Sequence, residues 1–258
     1  MRIATWNVNS LKIRLPHVLD WLARNPVEVL VLQETKLTDD KFPSKELEAA
    51  GYHAAFAGQK TYNGVAILSR LALPATDITI DIPGFADEQK RVIAATVNGI
   101  RIVCVYVPNG QSVDSDKYVY KLAWFKALQT WLADMIATHP KLVVLGDWNV
   151  APEDRDVHDP KAWEGQVLFS EPEKAALKAI EAIGLHDAFR LFDQPPKSFS
   201  WWDYRMLGFR RNAGLRIDHI LLSDALKPLC TACIIDRDER KKEQPSDHAP
   251  VIATLTLD

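Results

Sequence analysis

Apolar residues along this chain gather into short runs that lead to an acidic or amide residue. Ile3–Ala4–Thr5–Trp6 runs into Asn7, Val29–Leu30–Val31–Leu32 stops just short of Glu34, and Leu142–Val143–Val144–Leu145 precedes Asp147 by one glycine. β-branched residues dominate most of these runs, and the pattern predicts strands over Arg2–Trp6, Val27–Leu32, Gly64–Ser69, Val92–Val97, Arg101–Val107, Lys141–Leu145, Leu215–Leu222 and Val251–Leu257. Several are apolar on both faces, which calls for sheets covered on both sides. Between them, apolar residues return at helical spacing over Leu11–Arg24, Lys117–Thr138 and Glu171–Ile183. Ser170 is placed to cap the last of these and Gly184 to stop it. The expectation is a mixed α/β chain, ordered to both ends, forming one domain over residues 1–258.

Four long polar stretches interrupt the pattern, at Thr35–Pro43, Pro108–Asp116, Ala151–Ser170 and Trp202–Gly214. Loops of that length inside a compact domain usually carry function. Three begin just after a residue with site chemistry, so they mark the expected substrate edge.

Composition narrows the class. The chain is 47% hydrophobic and 25% charged, values of an ordinary globular protein. No apolar stretch reaches membrane-spanning length, and the N-terminus enters a strand with no basic-then-apolar leader, so a cytoplasmic, membrane-free protein is expected. Three cysteines fit a reducing compartment, and Cys230 and Cys233 lack the second pair a zinc site needs. The net charge of −3 does not advertise a polyanion binder. Charge is local, however: Arg205, Arg210, Arg211 and Arg216 lie in one segment with no acid among them.

The chemistry rests on five scattered positions: Asn7, Glu34, the pair Asp147 and Asn149, Asp218, and Asp247 with His248. Carboxylate and amide oxygens suit a hard divalent cation, Mg²⁺ or Mn²⁺. Strands that each deliver one such group at their ends can build a site from distant sequence. Glu34 is the leading ligand. Asn7 either ligates or holds Glu34 in place. Asp147 and Asn149 flank Trp148, so on an extended backbone they point the same way. His248 can contact a phosphate or take a proton, with Asp218 orienting its other ring nitrogen, and Asp247 is a further ligand candidate.

In order along the chain, Thr5–Trp6–Asn7–Val8–Asn9–Ser10, Leu32–Gln33–Glu34–Thr35–Lys36, Tyr106–Val107–Pro108–Asn109–Gly110, Gly146–Asp147–Trp148–Asn149, Leu215–Arg216–Ile217–Asp218 and Pro245–Ser246–Asp247–His248–Ala249–Pro250 resemble the exodeoxyribonuclease III family of the endonuclease–exonuclease–phosphatase superfamily. The stretch from Phe199 to Asp218, with its paired tryptophans, is similar to the DNA-repair branch. The resemblance implies two packed mixed β-sheets flanked by helices, a four-layer, DNase I-like α/β sandwich with the site at one edge. It implies a divalent-metal-dependent nuclease and a monomer acting on double-stranded DNA at abasic sites, nicks or 3′ ends. The metal set it implies is Asn7, Glu34, Asp147, Asn149, Asp247 and His248. Its catalytic residues are Tyr106, Asp147 as base or proton shuttle, Asn149 on the developing charge, Asp218 and His248. Trp201 and Trp202, with Leu215, match an apolar pocket for a base-free sugar. Lys60, Asn63, Arg91, Asn109 and the arginine segment, Arg205 included, are candidates for phosphate contact. A phosphatase acting on inositol phosphates or lipid head groups is the rival enzyme, and the paired tryptophans and arginine segment count against it. A damage-binding protein without catalysis would have lost ligands that are all present here.

Overall fold

The structure is a computed structural model describing residues 1–257. In chain order its strands are β1 (Arg2–Asn7), β2 (Val29–Gln33), β3 (Tyr52–Ala57), β4 (Val65–Arg70), β5 (Thr76–Ile80), β6 (Val92–Val97), β7 (Ile100–Tyr106), β8 (Leu142–Asp147), β9 (Leu185–Asp187), β10 (Trp201–Trp202), β11 (Gly214–Leu215), β12 (Asp218–Ser223), β13 (Cys230–Ile235) and β14 (Val251–Leu255). The helices are α1 (Leu11–Arg24), α2 (Ser44–Ala49), α3 (Asp116–Thr138), α4 (Pro160–Trp163) and α5 (Glu171–Glu181). One six-stranded sheet has the order β13-β14-β1-β2-β4-β3, the other β5-β6-β7-β8-β12-β9, and β10 pairs with β11. Each large sheet has one parallel pair, β1 with β2 and β7 with β8. No helix among the described residues is long and apolar enough to cross a membrane.

Successive side chains on a strand alternate between faces, and that period builds the layers. Ile3, Val29, Val31, Val143, Leu145, Ile220 and Leu222 point inward and form the core between the sheets. Their neighbours point outward. Ala4, Trp6, Leu30 and Leu32 meet α1 through Leu11, Val18 and Trp21, while Val103, Leu142 and Val144 meet α3 and α5 through Trp124, Phe125, Leu128, Leu177 and Ile180. The result is the four-layer α/β sandwich expected from the family resemblance. Burial of this kind contributes about 25 cal/mol per Å² of apolar surface.

The predicted strand over Leu215–Leu222 is in fact two strands. At Ile217 and Asp218 both backbone N–H groups donate to Ser200 Oγ, at 3.1 and 3.0 Å, and Arg216 N donates to the carbonyl of Asp156. The chain there leaves the small sheet for the large one. Arg216 is buried at that junction. Its guanidinium holds Asp156 Oδ1 at 2.7 Å and Asp187 Oδ2 at 2.8 Å, and Arg190 joins it on Asp156. Arg216 is therefore a structural ion-pair partner and not one of the phosphate-contacting arginines.

Burial alone would raise the Asp156 carboxyl pKa, but Arg216 and Arg190 outweigh it and hold the group below its ordinary 3.8. A depressed folded pKa stabilises the protein above the ordinary value and is lost as pH falls through the lowered one. Asp156→Asn leaves the buried arginines short of charge, and a loss of about 3 kcal/mol is expected at pH 7. Urea unfolding against pH checks this: the gap to wild type narrows below about pH 4.

Candidate active site

The alternation that makes the core apolar also makes one end of it polar. Continuing inward from Ile3 and Thr5 comes Asn7; from Val143 and Leu145 comes Asp147; from Leu222 and Ile220 comes Asp218. Register brings these ends together. Asp147 lies opposite Asp218 in the antiparallel β8–β12 pair and beside Tyr106 in the parallel β7–β8 pair. Asn7 crosses the gap between the sheets: its Nδ2 donates to Glu34 Oε1 and to Asp147 Oδ2, both at 2.9 Å. Glu34 reaches back from just past β2, with φ of 53°. The carboxylate and imidazole atoms of Glu34, Asp147 and His248 lie within 4.8 Å of one another.

His248 is held from behind. Its Nδ1 sits 2.9 Å from Asp218 Oδ2, and its Nε2 faces Asp147 Oδ2 at 3.6 Å. Ser200 Oγ donates to Asp218 Oδ2 at 2.6 Å and so keeps that carboxylate aimed. Burial works against the imidazolium, but the charges of Asp218 and then Asp147 prevail and push the His248 pKa up to about 10. That balance favours the imidazolium, the form in which both ring nitrogens donate. Asp147 moves by the opposite logic: burial raises its carboxyl to about 7, against a pull from His248. A carboxylate poised near neutrality can accept a proton and return it. Tyr106 is pushed well above its ordinary value by burial and by the charges of Glu34 and Asp147, so its hydroxyl stays a donor. The Arg91 guanidinium stacks over the Tyr106 ring with its carbon 4.8 Å from the centroid, and donates to the Tyr106 carbonyl.

Asn149 reaches the same place by a different backbone from the one expected. β8 ends at Asp147, and Asn149 is left-handed with φ of 49°. An Asx turn causes this: Asn149 N donates to Asp147 Oδ1 at 3.0 Å. The Asn149 Nδ2 donates to Val107 O and its Oδ1 accepts from Asn109 Nδ2. Trp148 does point into packing, against Phe125. Asp247 stands outside the Glu34–Asp147–His248 trio. Both its oxygens are engaged, Oδ1 by Asn9 Nδ2 and Oδ2 by Trp201 Nε1, each at 3.0 Å.

The candidate contact residues divide. Asn63, Arg91 and Asn109 line an open cavity of about 750 Å³ beside the site, and Lys60 is exposed on the adjoining loop. Arg205 is exposed but bound to Asp203 at 2.6 Å. Trp201 lines a second cavity of about 410 Å³ with His158 and Trp163. Trp202, on the other face of the two-residue strand, is wholly buried against Phe209, with Nε1 on Asn212 Oδ1. Leu215 is equally buried, packed with Val157, Leu168 and Phe169. The sugar pocket expected from Trp201, Trp202 and Leu215 is thus not formed as such: two of its three walls are core. The sequence motifs also leave Asn9 and Lys36 without a role. Each sits two residues beyond a site residue, the spacing already visible in Asp147 and Asn149. Lys36 Nζ bridges Glu34 Oε2 at 2.9 Å and Asn9 Oδ1 at 2.6 Å.

The sequence model of the endonuclease/exonuclease/phosphatase family matches residues 4–248. The chain belongs to this family. Exodeoxyribonuclease III of Haemophilus influenzae is 34% identical over 98% of this chain and 99% of its own, which places the chain among the family's DNA-repair nucleases. Among solved structures, the 3′ phosphatase NExo from Neisseria, bound to a product DNA hairpin, superimposes with a TM-score of 0.97 at 45% identity, and an AP endonuclease from Archaeoglobus fulgidus with 0.95 at 37%. Both alignments cover the whole of each chain. Family membership carries a requirement for a divalent metal.

A raised carboxyl pKa has a stability consequence. Asp147 binds its proton more tightly folded than unfolded, so metal-free protein loses stability as pH rises from about 4 toward about 7. Asp147→Asn removes that loss. In EDTA the variant is expected to melt about 5 °C above wild type at pH 8, a gap that closes as pH falls below 7. A variant melting no higher than wild type at pH 8 contradicts the assignment.

Proposed function

We propose that this enzyme hydrolyses phosphoesters at the 3′ ends of duplex DNA, removing 3′-phosphates and trimming in the 3′→5′ direction, with Asp147 as the base. The carrying observation is the convergence of Glu34, Asp147 and His248, whose ligand atoms lie within 4.8 Å of one another at the polar end of the inter-sheet core, with Asp218 behind the imidazole. In this reading a water loses its proton to Asp147 as it attacks phosphorus. The His248 imidazolium and the Asn149 amide hold the phosphate oxygens on which charge builds. Tyr106 donates from the other side. The 3′ oxygen leaves and takes a proton, giving a 3′-hydroxyl.

The donor set fits a hard divalent ion. Glu34 would anchor it beside Asn7, with Asp147 left as the base, and Mg²⁺ or Mn²⁺ suits such oxygen ligation completed by water. Lys36 supports the fit, since its ammonium already lies between Glu34 and Asn9 oxygens where positive charge is stabilised. When bound, such an ion offsets the charge of the phosphate and of the developing oxyanion. The Nδ1 of His248 is engaged by Asp218, and in this reading its other nitrogen is left for the phosphate.

The preference for 3′ ends rests on the buried state of Trp202 and Leu215, which makes two walls of the expected base-free sugar pocket part of the core. Incision at abasic sites is the second reading, supported by the open, largely apolar cavity at Trp201, His158 and Trp163 next to Asp247. A nicked duplex ending in 3′-phosphate and a duplex with an internal abasic site separate them. Cleavage of the first is expected at least ~10-fold faster; equal or faster abasic incision reverses the order. EDTA abolishes both. Glu34→Ala and Asp147→Ala lower kcat by about 10³-fold or more, and undiminished hydrolysis by either refutes the mechanism.

Duplex binding has a further candidate besides the polar and cationic contacts named above. Met206 is 80% and Leu207 60% exposed, both left-handed, on the loop after Trp202 among Arg205, Arg210 and Arg211. Exposed apolar tips flanked by guanidinium groups suit a wedge between base pairs with phosphates held on either side. Replacing Met206 and Leu207 by serine is expected to raise KM on duplex about 5-fold or more with little change in kcat. Arg210→Ala and Arg211→Ala each reduce the log–log salt slope of binding by about 0.9.

A further inference from the structure

A fully buried lysine lies behind the site, outside the chemistry described so far. Lys121, on α3, has no solvent exposure, and its ammonium has three acceptors for its three protons. These are Asn149 O at 2.7 Å, Asn109 O at 3.0 Å and the carboxylate of Glu173, itself wholly buried at the start of α5. Glu173 accepts in turn from Leu168 N at 3.0 Å, Ser170 N at 3.1 Å and the Ser170 hydroxyl. One ion pair thereby ties α3 and α5 to the loops that follow β7 and β8.

What these loops share is unusual backbone. Asn149, Gly110, Gln111 and Leu168 all have positive φ, at 49°, 93°, 58° and 78°. A left-handed turn persists where its surroundings over-determine it. The two carbonyls on Lys121 belong to Asn109 and Asn149, whose side chains contact each other at 3.3 Å, Asn109 Nδ2 to Asn149 Oδ1. Gly110 adds a packing limit, because a Cβ there would come within 3.1 Å of Lys121 Cδ.

We propose that Lys121, charge-balanced by Glu173, is a positioning residue that fixes Asn149 and Asn109 relative to Asp147 by clamping their backbone carbonyls. The proposal rests on the reading of Asn149 as a phosphate-holding group. Lys121 touches no substrate. It acts through the two asparagines, and its loss lets them drift while Asp147 stays on its strand. A displacement of about 1 Å at a reacting group can cost 10²-fold in rate.

The test is steady-state kinetics on the nicked 3′-phosphate duplex, with melting temperature measured in parallel. Lys121→Met with Glu173→Gln removes both charges together and leaves neither buried alone. This double variant is expected to lower kcat 30- to 100-fold, with KM within about threefold. Placed on an Asn109→Ala/Asn149→Ala background, the same pair is expected to cost less than about threefold, since both groups it positions are gone. A purely structural role predicts equal losses in both backgrounds, which overturns the proposal, as does kcat within twofold of wild type. Lys121→Arg serves if the double variant does not fold. It keeps the charge beside Glu173 but presents a planar fork in place of a compact ammonium, and about a 10-fold loss of kcat is expected against a melting temperature near that of wild type. Wild-type activity in the arginine variant overturns the clamp. Inactive wild-type enzyme on this substrate would instead remove the functional reading beneath it.

Discussion

At the polar end of the core the two sheets meet through the Asn7 amide. Asn7 is the last residue of its strand, and its NH₂ group donates to Glu34 from its own sheet and to Asp147 from the other. Carboxylates brought this near to one another in a low-dielectric setting repel, and each raises the pKa of its neighbours. A neutral amide with two donor hydrogens satisfies both without adding charge; an aspartate at the same position would add a third acceptor and no donor. Sheet spacing matters for the same reason. Inward-facing side chains fill a gap of about 10 Å, and a short amide at the polar end keeps the carboxylates in reach once the branched aliphatic residues stop.

How much of this is readable follows from what local sequence encodes. Strands that end on a site residue are legible because an apolar run followed by Asn, Asp or Glu is a local signal, and their period of two fixes the inward face. The strands that periodicity misses are β3, β5, β9, β10 and β13. β3 is rich in alanine, β5 is an exposed edge, and β9 and β10 are two or three residues long. They are strands by virtue of their partners, and partners lie elsewhere in the chain. Arg216 misleads for the same reason. The arginine segment that ends at Arg216 contains no acid, yet its counter-charges are Asp156, 60 residues away, and Asp187. The convergence of Asn149 with Asp147 follows from their spacing, but an extended backbone is the wrong route to it; an Asx turn bringing the two together is a side-chain decision that residue spacing does not reveal.

The two buried ion-pair systems explain how irregular chain can support so closely set a constellation. Strands satisfy their own backbone groups, but the segments after β7, β8 and β11 do not. Lys121 supplies donors to carbonyls after β7 and β8, while Asp156 receives the guanidinium of Arg216 just past β11 and accepts Arg216 N at its own carbonyl. Ion pairs are expensive to bury and add little net stability over an apolar replacement. Their use here is directional: the Lys121 ammonium sets distances to two backbone carbonyls and a carboxylate, and the Arg216 guanidinium to two carboxylates, which leucine cannot do.

The electrostatics of the site also separate two groups that a sequence motif treats as one catalytic unit. An aspartate behind a histidine suggests the arrangement in which imidazole acts as general base. Here the pocket gives the opposite protonation. Burial disfavours charge on His248 and Asp147 alike, yet Asp218, aimed by Ser200, reverses the outcome for the imidazole alone. Asp147 has no arginine or lysine among its hydrogen-bond partners, only the Asn7 amide and the Asn149 backbone, and so remains near neutrality. Environments that drive neighbouring pKa values apart assign the roles. In the mechanism proposed above, the proton acceptor is then the carboxylate, and the histidine supplies positive charge for a phosphate to meet.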